Sequence, residues 1–127
     1  MKIEHMAVFV HDLEACKDFY VKYFDAKANA GYRNPNSGFC SYFLSFEDGA
    51  RLEIMDKPGI AEIGPYREHM GYMHLAISVG SKEKVDELTS TLQRDGYCVV
   101  RGPRTTGDCY YESVVLDPDN NAIEITV

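Results

Sequence analysis

Two histidines and two glutamates carry the chemistry of this 127-residue chain. His5 stands in Glu4-His5-Met6-Ala7-Val8-Phe9-Val10, and His74 in Met73-His74-Leu75-Ala76-Ile77-Ser78-Val79. Glu53 stands in Ala50-Arg51-Leu52-Glu53-Ile54-Met55, and Glu124 in Asn121-Ala122-Ile123-Glu124-Ile125-Thr126. The histidines are 74 − 5 = 69 residues apart and the glutamates 124 − 53 = 71. A unit with one imidazole and one carboxylate is therefore written twice. A lone strand histidine is more often a hydrogen-bonded core or surface residue than a ligand. A lone glutamate between isoleucines usually marks the solvent side of a strand. Both types at matching places of both halves point instead to one divalent metal ion held by His5, Glu53, His74 and Glu124. Imidazole and carboxylate suit zinc, nickel, iron(II), cobalt or manganese, and two carboxylates neutralise the divalent charge. Four protein ligands in an octahedral shell leave two positions for water or substrate oxygens.

The elements that must position these residues repeat as well. Residues 3–10 alternate as a strand, with Ile3, His5, Ala7 and Phe9 on one face. Asp12 is an N-cap for a helix over about 13–25, whose stripe of Leu13, Cys16, Phe19, Tyr20, Tyr23 and Phe24 reads as core. Residues 27–33 read as a short strand, and Asn34 to Gly38 as a loop. Phe39 to Phe46 and Ala50 to Met55 form strands joined at Asp48-Gly49. In the second half Tyr72 to Val79 is a strand, and Ser81 caps a helix over about 82–95 that ends at Gly96. Strands at about 97–100, 110–116 and 121–126 follow, the last two joined by the Asp117-Pro118-Asp119-Asn120-Asn121 turn.

Each half is thus β-α-β-β-β, an α+β class. The expectation is one domain over 1–127, with module one at about 1–56, a linker at about 57–70 and module two at about 71–127. Successive strand side chains face opposite sides, so Glu53 points away from Leu52 and Ile54, and Glu124 away from Ile123 and Ile125. The apolar faces are expected on the helices. The opposite faces are expected to line the concave side of a curved sheet, an open cup.

Composition bounds the rest. Hydrophobic content of 45% with 26% charge is ordinary for a globular chain. A net charge of −7 argues against nucleic acid as a partner, because phosphate binding needs a basic surface. No run approaches the ~20 apolar residues of a membrane span. The four separated cysteines read as free thiols of a cytoplasmic protein.

Weaker site candidates are Arg101 and Arg104, in the glycine- and proline-bearing stretch 101–108. They are placed either as a clamp for a substrate anion or in a solvated loop. Phe9, Tyr42, Tyr110 and Tyr111 line the cavity or fill the core. His11 reads as a surface residue, and His69 in the linker is set aside as a ligand. Lys82, Glu83, Lys84, Asp86 and Glu87 read as a solvated helix face.

The paired modules, each opening on a histidine and closing on a glutamate strand, resemble the vicinal oxygen chelate superfamily. The closest resemblance is to glyoxalase I, in the glyoxalase, bleomycin resistance and dioxygenase group. The Asp117 to Asn121 turn is similar to the family's Asp-Pro-Asp/Glu-Gly-Asn stretch, with Asn120 in place of glycine. Extradiol dioxygenases and fosfomycin-resistance enzymes use two histidines and one glutamate, and methylmalonyl-CoA epimerases carry glutamine in the first module. Bleomycin-binding members lack the ligands. His5, Glu53, His74 and Glu124 match glyoxalase I at all four places.

The resemblance implies a lyase or isomerase acting on a small substrate with vicinal oxygens, such as a 2-oxoaldehyde–thiol adduct, through an enediolate. It implies Glu124 as first choice of proton-transferring base and Glu53 as second. Where glyoxalase I usually has arginine and asparagine that help hold glutathione, this chain has Phe9 and Lys57. The metal chemistry therefore carries over further than glutathione does. The alternatives are a metal-free binding or resistance protein and a ring-cleaving dioxygenase. Open sheet edges imply a homodimer.

Overall fold

The computed structural model describes residues 2–61, 64, 66–68 and 70–127. His69 lies outside the described residues. The chain divides into two compact units, Met1–Ile63 and Gly64–Val127.

In the first unit β1 (His5–Phe9) leads to α1 (Leu13–Phe24). The short strands β2 (Lys27–Ala28) and β3 (Tyr32–Arg33) follow, then β4 (Cys40–Ser45) and β5 (Arg51–Asp56). The sheet order is β1-β5-β4-β2, with β3 also on β4 and β1 parallel to β5. Asp12 caps α1 by accepting from the Ala15 N–H at 2.9 Å. The helix ends where Asp25 takes a left-handed φ of 53°. Cys16, Phe19, Tyr20 and Phe24 are buried along with Leu44, Leu52 and Ile54 of β4 and β5, the strands α1 lies on. Each such aliphatic side chain contributes about 1.5–3 kcal/mol by leaving water.

The expected strand over 27–33 is broken in two. Asn29 Oδ1 accepts from the Phe43 and Gly31 N–H groups, at 3.0 and 3.1 Å, where a ladder would otherwise run. Gly31 has φ of 77°, and a Cβ there would stand 2.7 Å from the Tyr42 ring. The chain therefore bends over Tyr42 instead of continuing the ladder.

The second unit holds β6 (His74–Ser78), α2 (Lys82–Arg94), β7 (Val99–Thr105), β8 (Tyr111–Leu116) and β9 (Ala122–Thr126). The order is β6-β9-β8-β7, with β6 parallel to β9. Ser81 Oγ accepts from the Lys84 N–H at 3.2 Å, and Gly96, at φ of 94°, closes the other end of α2. Val85 and Leu92 are buried with Val115, Ile123 and Ile125. Inside this core the Thr89 hydroxyl donates to the Val85 carbonyl and meets Ser113 Oγ, both at 2.6 Å.

The stretch expected as a loop from Arg101 is mostly strand. β7 runs through Gly102 and Pro103 to Thr105, with register shifts between Val99 and Arg101 and between Arg101 and Arg104. It is an edge strand, where an irregular ladder tolerates a proline that has no N–H to give. Among the described residues no helix is long and apolar enough to cross a membrane.

Candidate metal centre

The two units place their histidine and glutamate in one register. In the first, Ala7 lies beside Glu53 on parallel strands, and His5 beside Arg51. In the second, Ala76 lies beside Glu124, and His74 beside Ala122. Strand alternation puts each imidazole and its glutamate on the sheet face away from the helix. Ala7 and Ala76, the small neighbours of the two glutamates, leave room for the longer side chains to meet. His5 Nε2 is 3.9 Å from Glu53 Oε2, and His74 Nε2 is 3.5 Å from Glu124 Oε2.

These distances fit a shared cation. Donors bonded at about 2.1 Å to one ion stand about 3.0 Å apart at a right angle and about 4.2 Å apart across it. Both pairs fall inside that window with Nε2 leading. Exposure also fits: the imidazoles are 40% and 41% exposed, the carboxylates only 15% and 18%. Among the described residues no three or more His, Cys, Asp or Glu side chains gather to hold an ion, so of the four candidate ligands each histidine is brought together with its own glutamate only.

The surroundings of the two pairs differ. His5 Nδ1 is 2.5 Å from the Glu4 carboxylate, which also binds the Arg51 guanidinium. These contacts, first that of His5 and then that of Arg51, hold the Glu4 carboxyl below its ordinary pKa. The Arg51 guanidinium lies 4.2 Å from the Phe43 ring centroid, and the His5 ring meets the same ring edge-on at 5.4 Å. In the second unit Glu124 has an acid for a neighbour. Burial, then a hydrogen bond with Glu112, pushes its carboxyl above its ordinary pKa. The Glu112 and Asp108 charges add to that rise, and His74 opposes it.

Sequence reasoning missed Glu112, which is 8% exposed and takes a hydrogen bond from Arg104 at 3.3 Å. The signal was available. Across the Asp117 turn the hairpin pairs 114 with 124 and 112 with 126, so Glu112 shares the face of Glu124. Sequence reasoning also overlooked the bonds of Glu4 and Arg51.

The weaker candidates separate. Phe9 ends β1 on the same face as His5 and is 40% exposed. Arg104 is held by Glu112, and Arg101 donates to Glu68 at 2.7 Å. Tyr42 and Tyr111 are not on the faces of the glutamates. Tyr42 pairs with Ile54, and its hydroxyl donates to Glu14 of α1 at 2.6 Å. Tyr111 donates to Asp86 of α2 at 2.7 Å. One strand position decides this, since neighbouring residues face opposite sides.

A family profile described as the Glyoxalase/Bleomycin resistance protein/Dioxygenase superfamily matches residues 2–125. The chain belongs to that superfamily. YqjT, an uncharacterized protein of Bacillus subtilis (strain 168), is 30% identical in an alignment 128 residues long that covers 97% of this chain and 96% of the relative. A glyoxalase I mutant from Zea mays superposes with a TM-score of 0.80 at 22% identity, over 98% of this chain and 44% of that one. This chain thus spans less than half of the maize enzyme. The trypanothione-dependent glyoxalase I of Leishmania major superposes with a TM-score of 0.75 at 22% identity, over 99% of this chain and 86% of that one. These likenesses show the fold. Superfamily members vary in function, and glyoxalase I-like members commonly use a divalent metal.

Proposed function

We propose that the protein is a metal-dependent lyase or isomerase of the glyoxalase I type. Its two histidine–glutamate pairs, His5 with Glu53 and His74 with Glu124, together ligate one divalent cation. The two pairs are supplied by one chain or by the two chains of a homodimer in the cytoplasm. The observation that carries the reading is the matched pair geometry, with Nε2 to Oε2 at 3.9 Å in one unit and 3.5 Å in the other.

A bound zinc, nickel, iron, cobalt or manganese ion would supply a Lewis acid for a substrate with two adjacent oxygens. The residues do the rest. Glu124 takes a proton from one carbon and returns it to the next, passing through an enediolate of the substrate. Its burial beside Glu112 favours a carboxyl that readily holds a proton. Glu53 serves as a standing ligand.

The substrate is a 2-oxoaldehyde–thiol adduct whose thiol is not glutathione. Phe9 presents an apolar ring where glyoxalase I usually has an arginine, and Arg51 is already engaged by Glu4. The Leishmania neighbour depends on a different thiol, trypanothione. Dependence on another thiol is therefore compatible with the fold.

The test is metal analysis of purified protein, followed by methylglyoxal turnover with glutathione, bacillithiol and other thiols. One ion per chain is expected, lost in Glu53→Ala and Glu124→Ala. Glu124→Gln is expected to lower kcat by about 10²–10⁴-fold. Protein that retains no metal and turns over none of the adducts overturns the reading in favour of a metal-free binding protein.

A further inference from the structure

We infer that Glu4, braced by Arg51, is a positioning residue that keeps the His5 proton on Nδ1 and so leaves the Nε2 lone pair free for the cation. The inference rests on the proposed metal site but names residues outside it. A neutral imidazole carries one proton, and which nitrogen holds it depends on what the other atom meets. An ionised carboxylate only accepts, so at 2.5 Å from Glu4 the Nδ1 atom must be the donor. Arg51 keeps Glu4 in place from the neighbouring strand, through its side chain and through its N–H on the Glu4 carbonyl at 3.0 Å. Phe43 flanks both the His5 ring and the Arg51 guanidinium. The imidazole is thus held on two sides, and Nε2 faces Glu53. A carboxylate behind a ligating histidine fixes the tautomer and raises its basicity.

The duplication supplies an internal control. At 4 + 69 = 73 the second unit has Met73, whose thioether is no carboxylate. His74 therefore lacks this brace, and the two histidines are unequal ligands. His5 is pre-set, whereas the second unit has no carboxylate at the matching place to pre-set His74.

The experiment reads the tautomer directly. Long-range ¹H–¹⁵N spectra of metal-free protein are recorded at a pH where both imidazoles are neutral. They are expected to show the His5 proton on Nδ1. Glu4→Met, which copies the second unit, is expected to move that proton to Nε2 and leave the His74 signals unchanged. Arg51→Met is expected to give a mixture, and Glu4→Gln, which keeps a weaker acceptor, an intermediate state. Zinc or cobalt affinity in Glu4→Met is expected to fall about 10–100-fold, with partial recovery in Glu4→Gln. Unchanged His74 signals show that the variant is folded. A parent protein with His5 protonated at Nε2, or a Glu4→Met protein with unchanged metal affinity, overturns the inference. A parent with the expected tautomer and no metal affinity overturns the proposed function alone, since the tautomer is read without metal.

Discussion

Asp117→Asn tests how the chain launches the strand that carries Glu124. Asp117 is 3% exposed at the turn between β8 and β9. Its Oδ1 accepts from the Asp119 and Asn121 N–H groups, both at 2.9 Å, and from Asn121 Nδ2 at 3.2 Å. Its Oδ2 accepts from the same Nδ2 at 3.0 Å. An asparagine can keep its oxygen at the Oδ1 place, but it then turns an N–H toward the Asn121 amide. The Asn121 Nδ2 donor then loses its second acceptor and faces an N–H instead, a change that does not depend on the carboxyl's charge. The net loss is about 1–2 kcal/mol, or roughly 3–8 °C in Tm for a chain of this size. The pH dependence is more diagnostic. Burial raises the Asp117 carboxyl above its ordinary pKa, although its hydrogen bonds to Asn121 and Asp119 work against the rise. A raised carboxyl stabilises the fold at acid pH, and that contribution disappears as pH rises through the folded-state value. Asparagine has no such term. The gap between parent and variant should therefore be widest at the acid end and narrow with rising pH. Urea unfolding of metal-free protein over a pH series measures it. A gap that widens with pH, or a variant as stable as its parent throughout, refutes the account of this turn.

Two further outcomes follow from buried partners. Thr89→Val strands the Ser113 hydroxyl, which is 0% exposed, and should cost about 1–3 kcal/mol. Adding Ser113→Ala should recover most of that loss, and urea melts of the double-mutant cycle measure the coupling. Glu112→Gln removes the acid that helps hold a proton on Glu124. A cation needs Glu124 ionised, so the variant should retain metal to lower pH than its parent, as read by titration with a chelator.

How much of this was legible in the sequence depends on which physical signal was local. Both helices were readable because Asp12 and Ser81 cap through their own side chains, and because Gly96 sits where left-handed backbone is needed. The faces of His5, Glu53, His74 and Glu124 followed from alternation within single strands. Tyr42 and Tyr111 did not, because their face depends on hairpin register, and one residue of slip reverses it. Only the start of β7 is legible as a strand, because Gly102 and Pro103 look like breakers from residue 101 on, a signal that an edge strand with register shifts overrides. The Glu4 brace breaks the alternation rule itself: adjacent residues face apart, yet a long carboxylate at the strand's start bends back to its neighbour. Asn120 shows the reverse case. It takes φ of 64°, the left-handed conformation that favours glycine in the family's turn and that asparagine tolerates.

The duplication set equal backbones and then unequal surroundings. Ser41 holds the register position in the first unit that Glu112 holds in the second, and Met73 the position of Glu4. The acidic neighbour of the first pair therefore acts on the imidazole, and that of the second on the carboxylate. On the proposed function this asymmetry assigns the work. A pair whose histidine is fixed in one tautomer is suited to hold a cation unchanged through turnover. A pair whose glutamate is half-buried beside another acid is suited to give up a metal bond and carry a proton. Two identical halves would bind a metal as well, but neither glutamate would be favoured as the base.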